Sequence, residues 1–273
     1  MEKSSPEKAS GKSTVKPAAG VLLYTALAFG ISWALWVPRM LNPELPAAGS
    51  LGILGSFGPS LAAIISVLFL QGPGKVSALL KKLVHFRFPF WLYLFILGLG
   101  PFIGAVVYAI STGLLGYSFD SMFLKEPAII PIGFFYILVL GGPLGEELGW
   151  RGYLQEKGED LAAPFYAALG IGAVWALWHL PLFFTRGTVQ SAIPFWQFLL
   201  QSVVLAVLYT WVNWKSGGSV FAAILFHTSL NFAMGLFPLF QHFVPVMLGF
   251  LGLAVTAAIL VVTHRGFFFH RRG

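Results

Sequence analysis

Six polar side chains stand in stretches that are otherwise apolar: Glu146, Glu147, Arg151, His179, His227 and Asn231. A charged residue near the centre of a membrane helix costs about 2.5–3.5 kcal/mol on insertion scales, so such residues are functional candidates by default. In GEELGWRGYL, Glu147 and Arg151 are four positions apart and share a helix face, with the acid N-terminal as a helical ion pair prefers. Glu146 points about 100° away from Glu147. Arg151 can therefore neutralise Glu147 and leave Glu146 to face something else. An ion pair at a membrane border would account for Glu147 and Arg151 but not for Glu146. His227 and Asn231 are again four apart on one face, and His179 stands alone in WALWHLP. His85 lies in a basic loop, and His242, His264 and His270 lie near helix ends or in the tail, where they read as bland.

A carboxylate and an imidazole can together take a proton from water. Removal from water disfavours the charged form of either group, which suits proton transfer near neutral pH. Asn and a second His are donors fit for a developing oxyanion. The set describes amide hydrolysis without a covalent nucleophile. There is no cysteine, no G-x-S-x-G elbow and no H-E-x-x-H helix. Zn²⁺ on Glu146, His179 and His227 stays chemically open. Against it, Asn231 is a poor zinc ligand and the Arg151 cation lies close to Glu146. The expectation is catalysis with no metal and no cofactor.

The elements that must hold these residues are membrane helices. The 273 residues are 57% hydrophobic and 10% charged, against about 25% charged in a soluble domain. A span needs about 20 apolar residues. The predicted architecture is an all-α bundle of eight spans at 19–37, 51–71, 91–114, 129–157, 162–184, 194–213, 219–239 and 243–263. Residues 1–18 read as a disordered basic tail and 264–273 as a basic C-terminal tail, and the first apolar stretch reads as a retained helix rather than a signal peptide. Residues 75–89 are either a short interfacial helix or a plain basic loop. Trp36, Trp91, Trp196 and Trp214 are placed as interface anchors. Gly141-Gly142-Pro143 predicts a kink just before Glu146, opening a wet cavity beside it. Spans four and five turn back near residues 160–163, which sets Glu146 and His179 at similar depth.

Eight spans put both termini on one side. Of 17 Lys and Arg, 14 fall on that side, and Arg39, Lys125 and Arg186 fall on the other. The positive-inside rule makes the termini cytoplasmic. The net charge of +7 is explained by this arrangement beside anionic lipid, not by nucleic acid.

Three motifs in this order resemble the type II CAAX prenyl endopeptidases and their prokaryotic relatives, the CAAX protease and bacteriocin-processing or ABI family. They are Glu146-Glu147-x-x-x-Arg151 with Gly152, Trp175-x-x-x-His179 followed by Pro181, and His227-x-x-x-Asn231; FGPSLAA at 57–63 is a weaker sign. The core of the resemblance covers about 129–235. It implies a glutamate-dependent intramembrane endopeptidase in which Glu146 and His179 activate water, His227 and Asn231 form the oxyanion hole, and Glu147 and Arg151 support the site. The substrate implied is a membrane-anchored, even prenylated, protein or peptide cut near its C-terminus. The setting implied is a prokaryotic plasma membrane with the site open to the cytoplasm. Trp175 departs from the commoner Phe, one large aromatic for another. Two other classes fit the same residues: a non-catalytic immunity or scaffolding protein, and a proton-coupled transporter.

Overall fold

The computed structural model describes residues 16–271, so the expected N-terminal tail falls almost wholly outside the described residues. Among these residues all regular structure is helical. In chain order the helices are α1 (Pro17–Leu41), α2 (Ala48–Gly55), α3 (Gly58–Gln71), α4 (Val76–Lys81), α5 (Phe90–Gly113), α6 (Met122–Lys125), α7 (Ile130–Leu140) and α8 (Pro143–Gly149). A π-helical turn, Trp150–Leu154, leads into α9 (Gln155–Leu161). Then come α10 (Pro164–Trp178), α11 (Leu180–Phe183), α12 (Phe195–Lys215), α13 (Val220–Leu236), α14 (Phe243–Thr263) and α15 (Arg265–Phe269).

The chain alternates between two end faces. On the face where α1 begins, Lys82 Nζ donates to the Gly152 carbonyl at 2.8 Å and pairs with Glu156 at 2.7 Å. There Ser219 donates to the His85 carbonyl, Arg271 to the Asp160 carbonyl, and Phe267 stacks on Trp214 at 4.2 Å. On the opposite face Gln241 exchanges two hydrogen bonds with the Asp120 backbone, both 2.9 Å, and Ser121 donates to the Leu236 carbonyl at 2.8 Å. The first face carries Lys16, Lys75, Lys81, Lys157, Lys215 and Arg265 with the residues just named; the second carries Arg39, Lys125 and Arg186.

Among the described residues five helices are long and apolar enough to cross a membrane, or six when α2 and α3, bent by 45°, count as one span. That is short of the expected eight full spans. The remaining traverses are α10 and α13, of 15 and 17 residues. At 1.5 Å per residue they reach about 22 and 26 Å, against a hydrocarbon core of about 30 Å. Their ends are set by local chemistry. Pro181 has no N–H for a further turn and stops α10 at His179. Gly217 and Gly218, both at positive φ, separate α12 from α13, whose first turn Ser219 caps by accepting from the Ala222 N–H at 3.0 Å. The two short helices carry His179, His227 and Asn231.

Outward residues such as Phe69, Phe102, Ile132 and Val262 are large, apolar and exposed, as lipid-facing positions should be. The polar stretch from Glu146 to Arg151 is buried at the centre of the bundle. Two sequence expectations change here. Trp36 is not an interface anchor: it is buried against Trp178 at 4.4 Å and donates to the Gly52 carbonyl at 3.0 Å. The expected C-terminal tail contains α15, because Phe267 and Phe268 in its GFFF run have apolar partners to cover them.

Candidate active site

The break before Glu146 is a glycine requirement. Gly142 sits at φ +107°, a region side chains avoid, and Pro143 then starts α8 as its first residue. A Cβ on Gly142 would lie 2.6 Å from Glu146 Oε1. The bare α-carbon thus leaves the space in which the carboxylate sits. One turn on, Gly149 lets α8 approach α3 so closely that a Cβ would meet the Pro59 carbonyl at 2.4 Å. In the π turn the Gln155 N–H bonds to the Trp150 carbonyl five residues back. Such turns are frequent at functional sites, and here all five residues of Trp150–Leu154 are buried.

Glu146 Oε2 accepts a hydrogen bond from Trp175 Nε1 at 2.9 Å. The Trp175 carbonyl in turn accepts from His179 Nδ1 at 2.8 Å. A carbonyl cannot donate, so Nδ1 carries the proton and the neutral ring presents its Nε2 lone pair. Trp178 at 4.6 Å and Phe198 at 5.0 Å wall the same imidazole edge-on. α1 fixes this corner, since Trp33 donates to the Trp178 carbonyl at 2.9 Å.

Glu147, fully buried, sits between two partners. Its Oε1 lies 2.7 Å from His227 Nδ1. Arg151 Nη1 lies 3.2 Å from Oε2 and 3.4 Å from Oε1, with hydrogen-bond geometry only to Oε1. The Arg151 guanidinium also stacks over Tyr209 at 3.8 Å and Trp175 at 4.8 Å, contacts that stabilise a desolvated cation. Asn231, one turn beyond His227, donates to the Gly141 carbonyl at 3.4 Å, a long bond.

Glu146, His179, His227 and Asn231 all border one cavity of about 690 Å³, with Leu140 and Leu205 in its wall. Glu146 and His179 are therefore not parted by lipid. Carboxylate and imidazole atoms of Glu146, Glu147 and His227 lie within 4.8 Å of one another and could hold a cation. This differs from the Glu146–His179–His227 set considered from sequence. A metal here would have to displace the Glu147–His227 bond, with the Arg151 cation alongside.

The cavity is walled by the C-terminal part of α1, by α2, α5, α7, α12 and α13, and by the segments after α11 and α13. No residue of 72–89, 152–163, 214–219 or 264–271 borders it. Its mouth thus lies toward the face opposite the described ends of the chain. Cytoplasmic termini and a site open to the cytoplasm do not go together in this fold.

Two features escaped sequence reasoning. Trp175 was equated with Phe as a bulky aromatic, yet its indole N–H holds the carboxylate. Gly142 was read as part of a kink, yet it also makes the carboxylate's seat. The Trp-for-Phe departure and the Gly-Gly-Pro run were the available signals.

Residues 128–233, which contain all six site residues, match the type II CAAX prenyl endopeptidase Rce1-like family. A curated relative from Methanococcus maripaludis, CAAX prenyl protease 2, is 31% identical over 159 residues, 56% of this chain and 55% of its own length. The chain thus spans about half the length of that relative.

Proposed function

We propose that the chain is an intramembrane endopeptidase of the glutamate-dependent kind. A water between Glu146 and His179 gives a proton to the Glu146 carboxylate while its oxygen attacks the scissile carbonyl. The carbonyl oxygen becomes an oxyanion that accepts from Asn231 Nδ2 and His227 Nε2. The bond between His227 Nδ1 and Glu147 Oε1 fixes the orientation of that ring. The C–N bond then breaks, and the proton held by Glu146 passes to the departing amine.

The observation that carries this reading is Trp175, whose N–H holds Glu146 and whose carbonyl orients His179 on one cavity. The substrate proposed is a membrane-anchored polypeptide cut near its C-terminus, and the setting a prokaryotic plasma membrane. The test is purified protein with a library of membrane-anchored peptides, prenylated and plain, wild type beside Glu146→Ala. Cleavage by the wild type alone is the expected result. Cleavage by neither, or equally by both, refutes the reading.

A further inference from the structure

We infer that the cavity is loaded from the non-cytoplasmic side, so that its substrate is a membrane-anchored polypeptide that has already crossed the bilayer. The substrate part of this inference rests on the peptidase reading; the side of entry does not. Three observations combine.

The first is the position of the mouth. Arg39 and Gly49, Val189 and Gln190, and Leu239 and Phe240 border the cavity, and all six lie at or beside the connections of the second face.

The second is closure at the other end. Between the site and the first face lies a layer of Trp150, Arg151, Tyr153, Leu154, Tyr209 and Val220, each at most 3% exposed. Tyr24 extends the layer, packing against Trp150 at 5.6 Å and Tyr153 at 5.4 Å. An extended peptide needs a channel several ångströms wide, and a layer packed to this degree leaves none.

The third is charge. Lys and Arg gather on the closed face, while the open face holds Arg39, Lys125 and Arg186. Basic residues in short loops stay on the cytoplasmic side, where anionic lipid also attracts them. The closed face is therefore cytoplasmic and the mouth is not. A tail synthesised and modified in the cytosol would meet the sealed end. A lipid-anchored or once-spanning polypeptide in the outer leaflet would meet the open one.

The absence of native cysteine makes the test direct. Val189→Cys at the mouth and Lys81→Cys on the closed face are made singly in the full chain and expressed in a bacterial inner membrane. Both side chains lie outside the packed layer and the reacting groups. Intact spheroplasts are treated with a membrane-impermeant maleimide, then compared after permeabilisation. Val189→Cys should label at least tenfold faster than Lys81→Cys in intact spheroplasts, with Lys81→Cys reacting fully once the membrane is opened. The reverse pattern overturns the orientation.

A third variant, Gln201→Cys on the cavity wall, tests access to the site. It should be labelled from outside in right-side-out vesicles and protected when a membrane-anchored peptide is added from outside. Labelling only in inverted vesicles overturns the side of entry. A chain that labels as expected but cleaves no peptide loses the peptidase reading and keeps the entry. One that cleaves only peptides offered to inverted vesicles keeps the peptidase and loses the entry.

Discussion

Replacing Trp175 by Phe removes one N–H and leaves most of the ring. The backbone bond from His179 Nδ1 to the residue-175 carbonyl survives. The ring contacts to His179 and His227, both 5.7 Å, are largely retained. What disappears is the 2.9 Å bond to Glu146 Oε2. A hydrogen bond to a charged group contributes roughly 1.5–3 kcal/mol net. At about 1.4 kcal/mol per tenfold in rate, full loss of that amount from the transition state slows turnover about ten- to hundredfold. An anchor needed for the reacting geometry lowers kcat and kcat/KM together, with KM little changed. The assay is cleavage of a membrane-anchored peptide in detergent or liposomes, with Tm measured alongside. A control separates the bond from the volume: benzothienylalanine at position 175 keeps the indole's shape with sulfur in place of N–H. It should be as slow as Trp175→Phe. Wild-type rate in the isostere would refute the role assigned to the hydrogen bond and leave only packing.

Gly142→Ala puts a methyl at 2.6 Å from Glu146 Oε1 and at a positive φ. Backbone strain of about 1–3 kcal/mol should lower Tm, and displacement of the carboxylate should cut kcat by tenfold or more; an active, stable variant would contradict the seat described for Glu146. Glu147→Gln leaves the Arg151 charge without its carboxylate and sets an amide donor against the guanidinium, and one-sided loss of a buried pair costs about 3–5 kcal/mol. Glu147→Gln should therefore lower both Tm and kcat, whereas Glu146→Gln should abolish cleavage with little change in Tm; the converse pattern would exchange the two roles. Finally, cleavage should persist in strong chelator, as measured by activity with metal analysis of the active protein. Stoichiometric zinc, with activity lost on chelation and restored by Zn²⁺, would move Glu146 from base to ligand.

Much of the site was legible in the chain because membrane helices make polar residues conspicuous. With 10% of residues charged, each acid or imidazole inside an apolar run asks for a partner. The four-residue spacing of Glu147 with Arg151 needs only helical periodicity, and the two side chains do pair. The meeting of Glu146, His179, His227 and Asn231 on one cavity was foreshadowed by the depth match along the hairpin.

Helix length was less legible than hydropathy, because proline and paired glycines cut α10 and α13 short inside runs that stay apolar. Other features had no one-dimensional signature. Glu147 grips His227 across 80 positions of sequence, and Trp175 holds Glu146 across 29. Spacing along one helix is silent on which face of another helix it meets. The side on which the cavity opens was likewise decided by tertiary packing. Sequence counts charges on loops, which orients the bundle in the membrane. The open and sealed ends depend instead on how aromatic and aliphatic side chains from α1, the π turn, α12 and α13 fill one layer and leave another empty. That is a property of volumes brought together from distant parts of the chain, and periodicity along a single helix carries no information about it.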